Sequence, residues 1–189
     1  MNDIDPKYAI VAHGILSELL RLTNHSSTVF KFEGPAEVLH YQIRERATEL
    51  GLPRRGGFAN AVVFSPPYCN LLTSPRKELR GFAKNEMRTF TKGSYRAFLT
   101  QLVASAYIML RLYGRCVVVV KDAVSTSQSA RDAVVEAMKF TGFQNIETHT
   151  FMLEKPSAFY EYHRTRGHRC EHLRHEYVVV GRKLVKRLG

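Results

Sequence analysis

A short apolar run that ends in Ser-Pro-Pro-Tyr limits the folds open to this chain. Residues 59–64 read Ala-Asn-Ala-Val-Val-Phe, and Ser65, Pro66, Pro67 and Tyr68 follow directly. The run predicts a buried strand. Each proline fixes its own φ, lacks an N–H and holds the preceding residue in extended geometry, so the strand ends in a stiff loop rather than a helix. The alternative interpretation is a surface turn or a polyproline ligand.

The four motif residues provide the parts of a pocket for a nucleobase. A flat base lying against Tyr68 could donate its amino hydrogens to the Ser65 hydroxyl and the Pro66 carbonyl. Both acceptors would favour the pyramidal form of the amine, whose lone pair can attack. No metal is required for this. The motif therefore predicts chemistry on the exocyclic amine of a base.

The rest of the chain alternates between helical and strand patterns. Apolar residues at helical spacing predict helices over 9–22, 38–50, 95–113 and 130–140. Apolar runs predict strands over 28–32, 59–64, 116–120, 143–153 and 177–181. Alternation of this kind is typical of a doubly wound α/β sheet. We therefore expect one α/β domain over 1–189.

Composition is typical of a compact intracellular domain. With 189 residues and 44% hydrophobic content, the chain can bury one core but is too short for two sizeable domains. No stretch approaches the roughly 18 apolar residues of a membrane span, and the N-terminus lacks the regions of a signal peptide. Cys69, Cys116 and Cys170 are scattered and odd in number, which predicts reduced thiols. We expect a cytoplasmic protein without a membrane partner.

A strong excess of positive charge predicts a polyanionic partner. Lys and Arg number 28 against 17 Asp and Glu, which gives a formal net charge of +11. Such an excess attracts phosphate backbones. Several of these residues follow the motif within a weakly apolar stretch, namely Arg76, Lys77, Arg80, Lys84, Arg88 and Lys92. We expect a basic loop beside the pocket that contacts nucleic acid.

A second basic loop is predicted over 155–175. Here Arg164, Arg166 and Arg169 are interleaved with tyrosine and histidine, a composition suited to phosphate contacts and base stacking. Four histidines and Cys170 also raise the alternative of a zinc site, but their spacing matches no closed Cys/His site. We therefore predict no metal. A solvated loop without a ligand is the remaining alternative.

These features, in this order, resemble the amino-methyltransferases that use S-adenosylmethionine to methylate exocyclic amines of DNA bases. Their motif is Asp/Asn/Ser-Pro-Pro-Tyr/Phe/Trp at the end of a central strand, and the form with serine, as at Ser65, is most associated with cytosine N4. The form with aspartate is associated with adenine. A Gly-Arg-Cys-Val-Val-Val-Val-Lys strand, a Thr-Gly-Phe turn and a closing His-Glu-Tyr-Val-Val-Val-Gly-Arg-Lys strand extend the resemblance along nearly the whole chain.

The resemblance implies a fold and a catalytic site. The fold is a Rossmann-like sheet with helices on both faces and an antiparallel hairpin at its C-terminal edge. The catalytic residues would be Ser65, Pro66, Pro67 and Tyr68, and DNA would be the substrate. An RNA methyltransferase is an alternative, since related motifs also act on RNA.

Acidic residues in the first part of the chain are similar to the cofactor site of this family. Asp3 would bind the ribose hydroxyls of S-adenosylmethionine, Asp5 would start the next helix beside it, and Glu33 or Glu37 would contact the adenine. The alternative for Asp3 and Asp5 is a helix start at a frayed terminus. An exposed carboxylate beside a helix start is the alternative for Glu33.

One part of the family pattern is missing. The family has a first strand that ends in a Phe/Pro-x-Gly-x-Gly turn before the acidic segment, and nothing upstream of Asp3 supplies it. We expect a methyltransferase sheet without its first strand, whose cofactor site could be completed by a second chain. A non-catalytic nucleic-acid-binding remnant, or a subunit of a split methyltransferase, is therefore an alternative function.

Overall fold

The computed structural model describes residues 2–3, 17–18, 21, 32–33, 36–53, 55–66, 92–121, 129–152, 161, 164–167 and 175–185. The strands of this part are β1 (Asn2–Asp3), β2 (Phe32–Glu33), β3 (Ala59–Phe64), β4 (Leu110–Val120), β5 (Gln144–Met152) and β6 (His175–Arg182). The helices are α1 (Leu39–Glu45), which follows a 3-10 turn over Ala36–Val38, α2 (Lys92–Met109) and α3 (Ala130–Thr141). From the predicted helix over 9–22, the described residues Ser17, Glu18 and Arg21 are helical.

Four strands form one mixed sheet in the order β3-β4-β6-β5. β3 and β4 are parallel, with Phe64 opposite Val118, and α2 connects them as the crossover helix of a βαβ unit. β6 runs antiparallel to both β4 and β5. The α/β class and the antiparallel C-terminal hairpin predicted from the sequence are confirmed.

β1 and β2 form a separate parallel pair in which Asp3 lies opposite Glu33. Within the described residues, no strand joins this pair to β3. The sheet of the described part is therefore in two pieces. The β1–β2 pair contacts the end of α1 through Phe32, which is buried. The guanidinium carbon of Arg46, the residue after α1, lies 5.2 Å from the centroid of the Phe32 ring.

The hydrophobic core lies between the four-stranded sheet and the helices α2 and α3. Cys116 and Val118 of β4 are fully buried on the helix side, whereas the alternate residue Val117 is half-buried on the opposite face. Leu99 of α2 and Met138 of α3 fill the layer above them. α2 and α3 thus pack on the same face of the sheet. Residues that directly follow a strand are held at the end of that strand by the sheet.

The end of α2 differs from the prediction. The predicted helix over 95–113 instead spans Lys92–Met109, and β4 starts at Leu110 rather than at 116. Two distant residues stabilise this change of geometry. The N–H of Phe58 donates to the Met109 carbonyl at 2.8 Å, and Lys183 Nζ donates to the carbonyls of Tyr107 and Leu110, each at 2.8 Å.

Other boundaries follow the predictions more closely. β3 has the predicted bounds, and α3 ends one residue after its predicted end. α3 stops because Gly142 takes the left-handed conformation, with φ of 101°, and its N–H donates to the Met138 and Lys139 carbonyls at 3.1 Å each. The predicted helix over 38–50 was too long, since α1 ends at Glu45 and continues as turns to Gly51.

Cys116 is a free, buried thiol. Burial raises its pKa to about 12, so the thiol stays protonated at neutral pH. Cys69 and Cys170 lie outside the described residues. Among the helices that are described, none has the length and apolar character needed to cross a membrane.

Candidate functional site at the carboxyl edge of the sheet

Candidate functional residues lie together at one end of the strands of the four-stranded sheet. Ser65 and Pro66 follow β3, and Lys121 follows β4, so the parallel pairing of these strands brings them to the same edge. β6 runs in the opposite direction and therefore starts there, with Glu176 among its first residues. We call this end of the strands, where Ser65, Pro66, Lys121 and Glu176 lie, the carboxyl edge. Ligands of open α/β sheets bind at edges of this kind.

Ser65 and Pro66 are presented differently at this edge. Ser65 is exposed, which leaves its hydroxyl open to an incoming group, whereas Pro66 is buried and anchors the loop. Because the proline ring restricts both residues, the Pro66 carbonyl is held in place without a hydrogen bond from a following helix. Pro67 and Tyr68, the other predicted catalytic residues, lie outside the described residues.

Lys121 is buried at the carboxyl edge, with 8% of the residue exposed. Burial lowers the pKa of its ammonium group, and the Glu176 carboxylate partly opposes that shift. The register explains this pairing of charges, because Val120 lies opposite Tyr177 and the next residues along each strand are Lys121 and Glu176. A buried ammonium group here could donate hydrogen bonds to a carbonyl oxygen of a base or to a phosphate.

Two contacts near this edge involve the two long helices. The guanidinium of Arg131 in α3 lies over the ring of Tyr177, 5.3 Å from its centroid. Arg96 of α2 pairs with Glu136 of α3 at 3.0 Å. The first contact joins α3 to the start of β6, and the second joins α2 to α3.

The predicted cofactor residues stand at the ends of the separate strand pair. Asp3 ends β1, Glu33 ends β2, and the two residues are register partners. The prediction placed them at the ribose and the adenine of one ligand, and the pairing does bring the two positions together. Asp5 lies outside the described residues.

The second basic segment also begins and ends at the carboxyl edge. β5 is antiparallel to β6 and therefore parallel to β4, so the chain leaves Met152 and returns at His175 on this side. Within the segment, Arg164 and Arg166 are exposed, and an Arg164 guanidinium nitrogen lies 3.0 Å from a Glu161 carboxylate oxygen. The other predicted nucleic-acid contacts, Arg76, Lys77, Arg80, Lys84 and Arg169, lie outside the described residues.

Metal ligands do not cluster in the described part of the chain. No group of three or more histidine, cysteine, aspartate or glutamate residues there could hold a metal ion. Most of the histidine-rich segment considered for zinc lies outside that part, although His175, the first residue of β6, is included.

Comparison with known proteins finds similar folds at low identity. No protein-family model matches the chain, and no curated protein matches it. A provisionally assigned DNA modification methylase from Thermus thermophilus, crystallised with S-adenosyl-L-methionine, is 18% identical over 82% of this chain and 56% of that one, with a TM-score of 0.46. A predicted O-methyltransferase from Agrobacterium tumefaciens is 14% identical over 98% of this chain and 62% of that one, with a TM-score of 0.48.

A SAM dependent methyltransferase from Archaeoglobus fulgidus is 9% identical over 90% of this chain and 82% of that one, with a TM-score of 0.47. The chain spans little more than half the length of the Thermus protein. These identities and TM-scores are too low to transfer a family or a function to this chain. The α/β class follows from its own strand pairing.

Proposed function

We propose that the chain is an S-adenosylmethionine-dependent methyltransferase acting on the exocyclic amine of cytosine in DNA, with adenine as the alternative base. The observation that carries the proposal is the placement of Ser65 and Pro66 at the carboxyl end of β3, beside the buried Lys121 at the end of β4. A serine hydroxyl and a fixed carbonyl at this edge are the acceptors that a base amine needs.

Ser65 and Pro66 would hold and activate the amine. When the two N–H groups donate to the Ser65 hydroxyl and the Pro66 carbonyl, the nitrogen lone pair is drawn out of conjugation with the ring. The same acceptors would stabilise the positive charge that the nitrogen gains as it bonds to the transferred methyl carbon, until the nitrogen releases a proton to solvent. Because the loop is rigid, these acceptors are already in place when the base arrives.

Lys121 adds a donor to this arrangement. A cytosine presents a carbonyl oxygen next to the ring nitrogen, and a hydrogen bond from a buried ammonium would orient the ring. Adenine offers only ring nitrogens as acceptors, so a Lys121 ammonium positioned to reach the cytosine carbonyl would favour cytosine as the base.

The acidic residues of β1 and β2 are acceptors that match part of the proposed cofactor. Carboxylates at Asp3 and Glu33 are suited to the ribose hydroxyls and the adenine amine of S-adenosylmethionine. The bound cofactor supplies a methyl group on a positively charged sulfur. Asp3 and Glu33 would bind and orient its nucleoside part.

A subunit of a split methyltransferase is the second candidate. It is favoured by the separation of the β1–β2 pair from the four-stranded sheet in the described residues. In that case a second chain would supply the glycine-rich loop, and this chain would contribute the base pocket and the basic surface.

Two measurements test the proposal in sequence. Calorimetric titration of the full chain with S-adenosylmethionine should show binding that Asp3→Ala weakens. Transfer of a labelled methyl group to duplex DNA should then fall by about a hundredfold or more in Ser65→Ala, the usual loss when one preorganised hydrogen-bonding group is removed from an active site. Asn60→Ala, on the exposed first half of the same strand, is the matched control and should keep its rate.

The outcomes separate the candidates. Binding of DNA without binding of S-adenosylmethionine would favour the split subunit, and transfer to RNA but not to DNA would change the substrate. Equal transfer rates for Ser65→Ala and Asn60→Ala would contradict the proposed role of the motif.

A further inference from the structure

β5 forms an open edge of the four-stranded sheet. It is the last strand in the order β3-β4-β6-β5, so among the described strands it has a neighbour on one side only. All six residues from Glu147 to Met152 are exposed, although they alternate between the two faces. The register of β5 shifts between Gln144 and Glu147, where Asn145 has a φ of 48°, so the regular part of the edge is Glu147–Met152. This part contains neither lysine nor proline, two residues that commonly prevent an edge from pairing.

Large apolar side chains are exposed at this edge. Phe151 and Met152 of β5 are 56% and 64% exposed, and Phe140, four residues before β5 begins, is 82% exposed. Phe151 and Met152 are adjacent in the strand and therefore lie on opposite faces of the sheet, so an occupant of the β5 edge would cover apolar surface on both faces.

The sequence of β5 is complementary to itself. When two copies of the strand run antiparallel and centred on Thr148, each Thr148 lies opposite the other, and each Glu147 lies opposite a His149. Glu147 and His149 also share a face within one strand, where His149 Nε2 lies 3.7 Å from Glu147 Oε2. Threonine pairs stabilise antiparallel strands, and so do pairs of opposite charge, which Glu147 and His149 form when the imidazole is protonated.

We propose that two copies of this chain associate through antiparallel pairing of their β5 strands about Thr148. The two sheets then join into one, and the interface has the two-fold symmetry that is commonest among protein dimers. Because the two-fold axis is perpendicular to the sheet, the helical layers of both copies lie on the same side. α3 covers the β5–β6 part of the sheet and is therefore near the seam, which is the junction between the two β5 strands. This association does not depend on the proposed methyl transfer.

On the face opposite the helices, the pairing forms a cluster of two glutamates and two histidines. Glu147 and His149 lie on this face because they pair with Val180 and Val178, the neighbours of the core residue Val179. Each carboxylate in the cluster has an imidazole beside it along its own strand and another across the seam. The occupant that this pattern favours is a second copy of the same strand.

Sedimentation equilibrium of the full chain tests the proposal. We expect a species of twice the chain mass of 21.6 kDa that dissociates on dilution. In Thr148→Lys, two ammonium groups face each other at the axis, and the dissociation constant should rise about tenfold or more. Gln101→Lys, which adds the same charge to the exposed surface of α2, should leave the constant unchanged.

A charge swap tests the register itself. His149→Glu places two pairs of glutamates across the seam, and Glu147→His places two pairs of histidines there, so each single variant should weaken the dimer. The double variant restores every opposite pair and should recover the original constant within about threefold. A monomer at all concentrations, equal effects of Thr148→Lys and Gln101→Lys, or a double variant no tighter than the single variants would overturn the proposal.

Discussion

His40 shows how a single side chain makes folding sensitive to pH. It is buried between α1 and α2, where its Nδ1 lies 2.8 Å from the Ser105 hydroxyl oxygen. Burial lowers the pKa of this imidazole, and the nearby positive charge of Arg44 adds to the effect. The folded state therefore binds the proton less readily than the unfolded state does.

The expected consequence is a loss of stability in mild acid. Above the ordinary histidine pKa of about 6.5 the ring is neutral in both states, and as the pH falls below that value protonation favours the unfolded state. The free energy of unfolding in urea should fall more between pH 7.5 and pH 5 for the natural chain than for His40→Asn, which does not titrate. Equal pH dependence in the two proteins would show that His40 is not the responsible group.

Single residues also show where sequence reasoning stops. The position of Ser65 and Pro66 at the end of β3 could be predicted because it depends on local sequence: two prolines end an apolar run whatever surrounds it. The burial of Lys121 and the contact of His40 with Ser105 could not, because they join residues that are distant in the chain. The hydrophobic periodicity of a sequence does not show which distant residues will contact each other.

At the scale of elements, the junction between α2 and β4 depends on a close approach of two backbones. Gly57 precedes β3, and a Cβ atom at this position would overlap the carbonyl group of Leu110, the first residue of β4. Leu110 to Tyr113 continues the apolar pattern of α2, so local propensity predicted a longer helix. The contacts of Gly57, Phe58 and Lys183 decide in favour of a strand.

Adjacent glycines provide a matched test of this junction. Gly57→Ala should lower the free energy of unfolding by about 3 kcal/mol or more, because backbone atoms must move to admit the methyl group. Gly56→Ala meets open space and strains only a positive φ of 75°, so it should cost about 1 kcal/mol. Urea unfolding of both variants measures the difference. Similar losses for the two would mean that the close approach of Gly57 to Leu110 does not hold the junction.

For the whole molecule, charge and topology act together. A net charge of +11 would attract a polyanion to the chain without directing it to a particular surface. For the proposed DNA substrate the fold would give the direction, because the segment containing Arg164 and Arg166 leaves and rejoins the sheet at the same edge as Ser65. The mixed sheet was predictable from alternating patterns, whereas the pairing of β1 with β2 apart from β3, as seen in the described part of the chain, is not specified by those patterns.

Salt dependence of DNA binding tests this direction. If Arg164 and Arg166 each neutralise a phosphate, changing both to glutamine should reduce the slope of log affinity against log salt by about 1.8. Changing Arg111 and Arg115 to glutamine removes the same charge from exposed positions in the first half of β4 and should change the slope less. Fluorescence anisotropy of a labelled duplex at several salt concentrations gives both slopes. A larger effect of the β4 pair would place the DNA elsewhere.

The position of β6 also bears on how the chain folds during synthesis. β6 is the last described strand in sequence, yet it lies between β4 and β5 in space. A nascent chain that has left the ribosome only as far as β5 therefore holds that strand without its native partner. The sheet closes when residues 175–182 emerge and insert between two waiting strands. Until then, the backbone groups of β4 and β5 that later pair with β6 are free to bind chaperones or other nascent chains translated from the same mRNA.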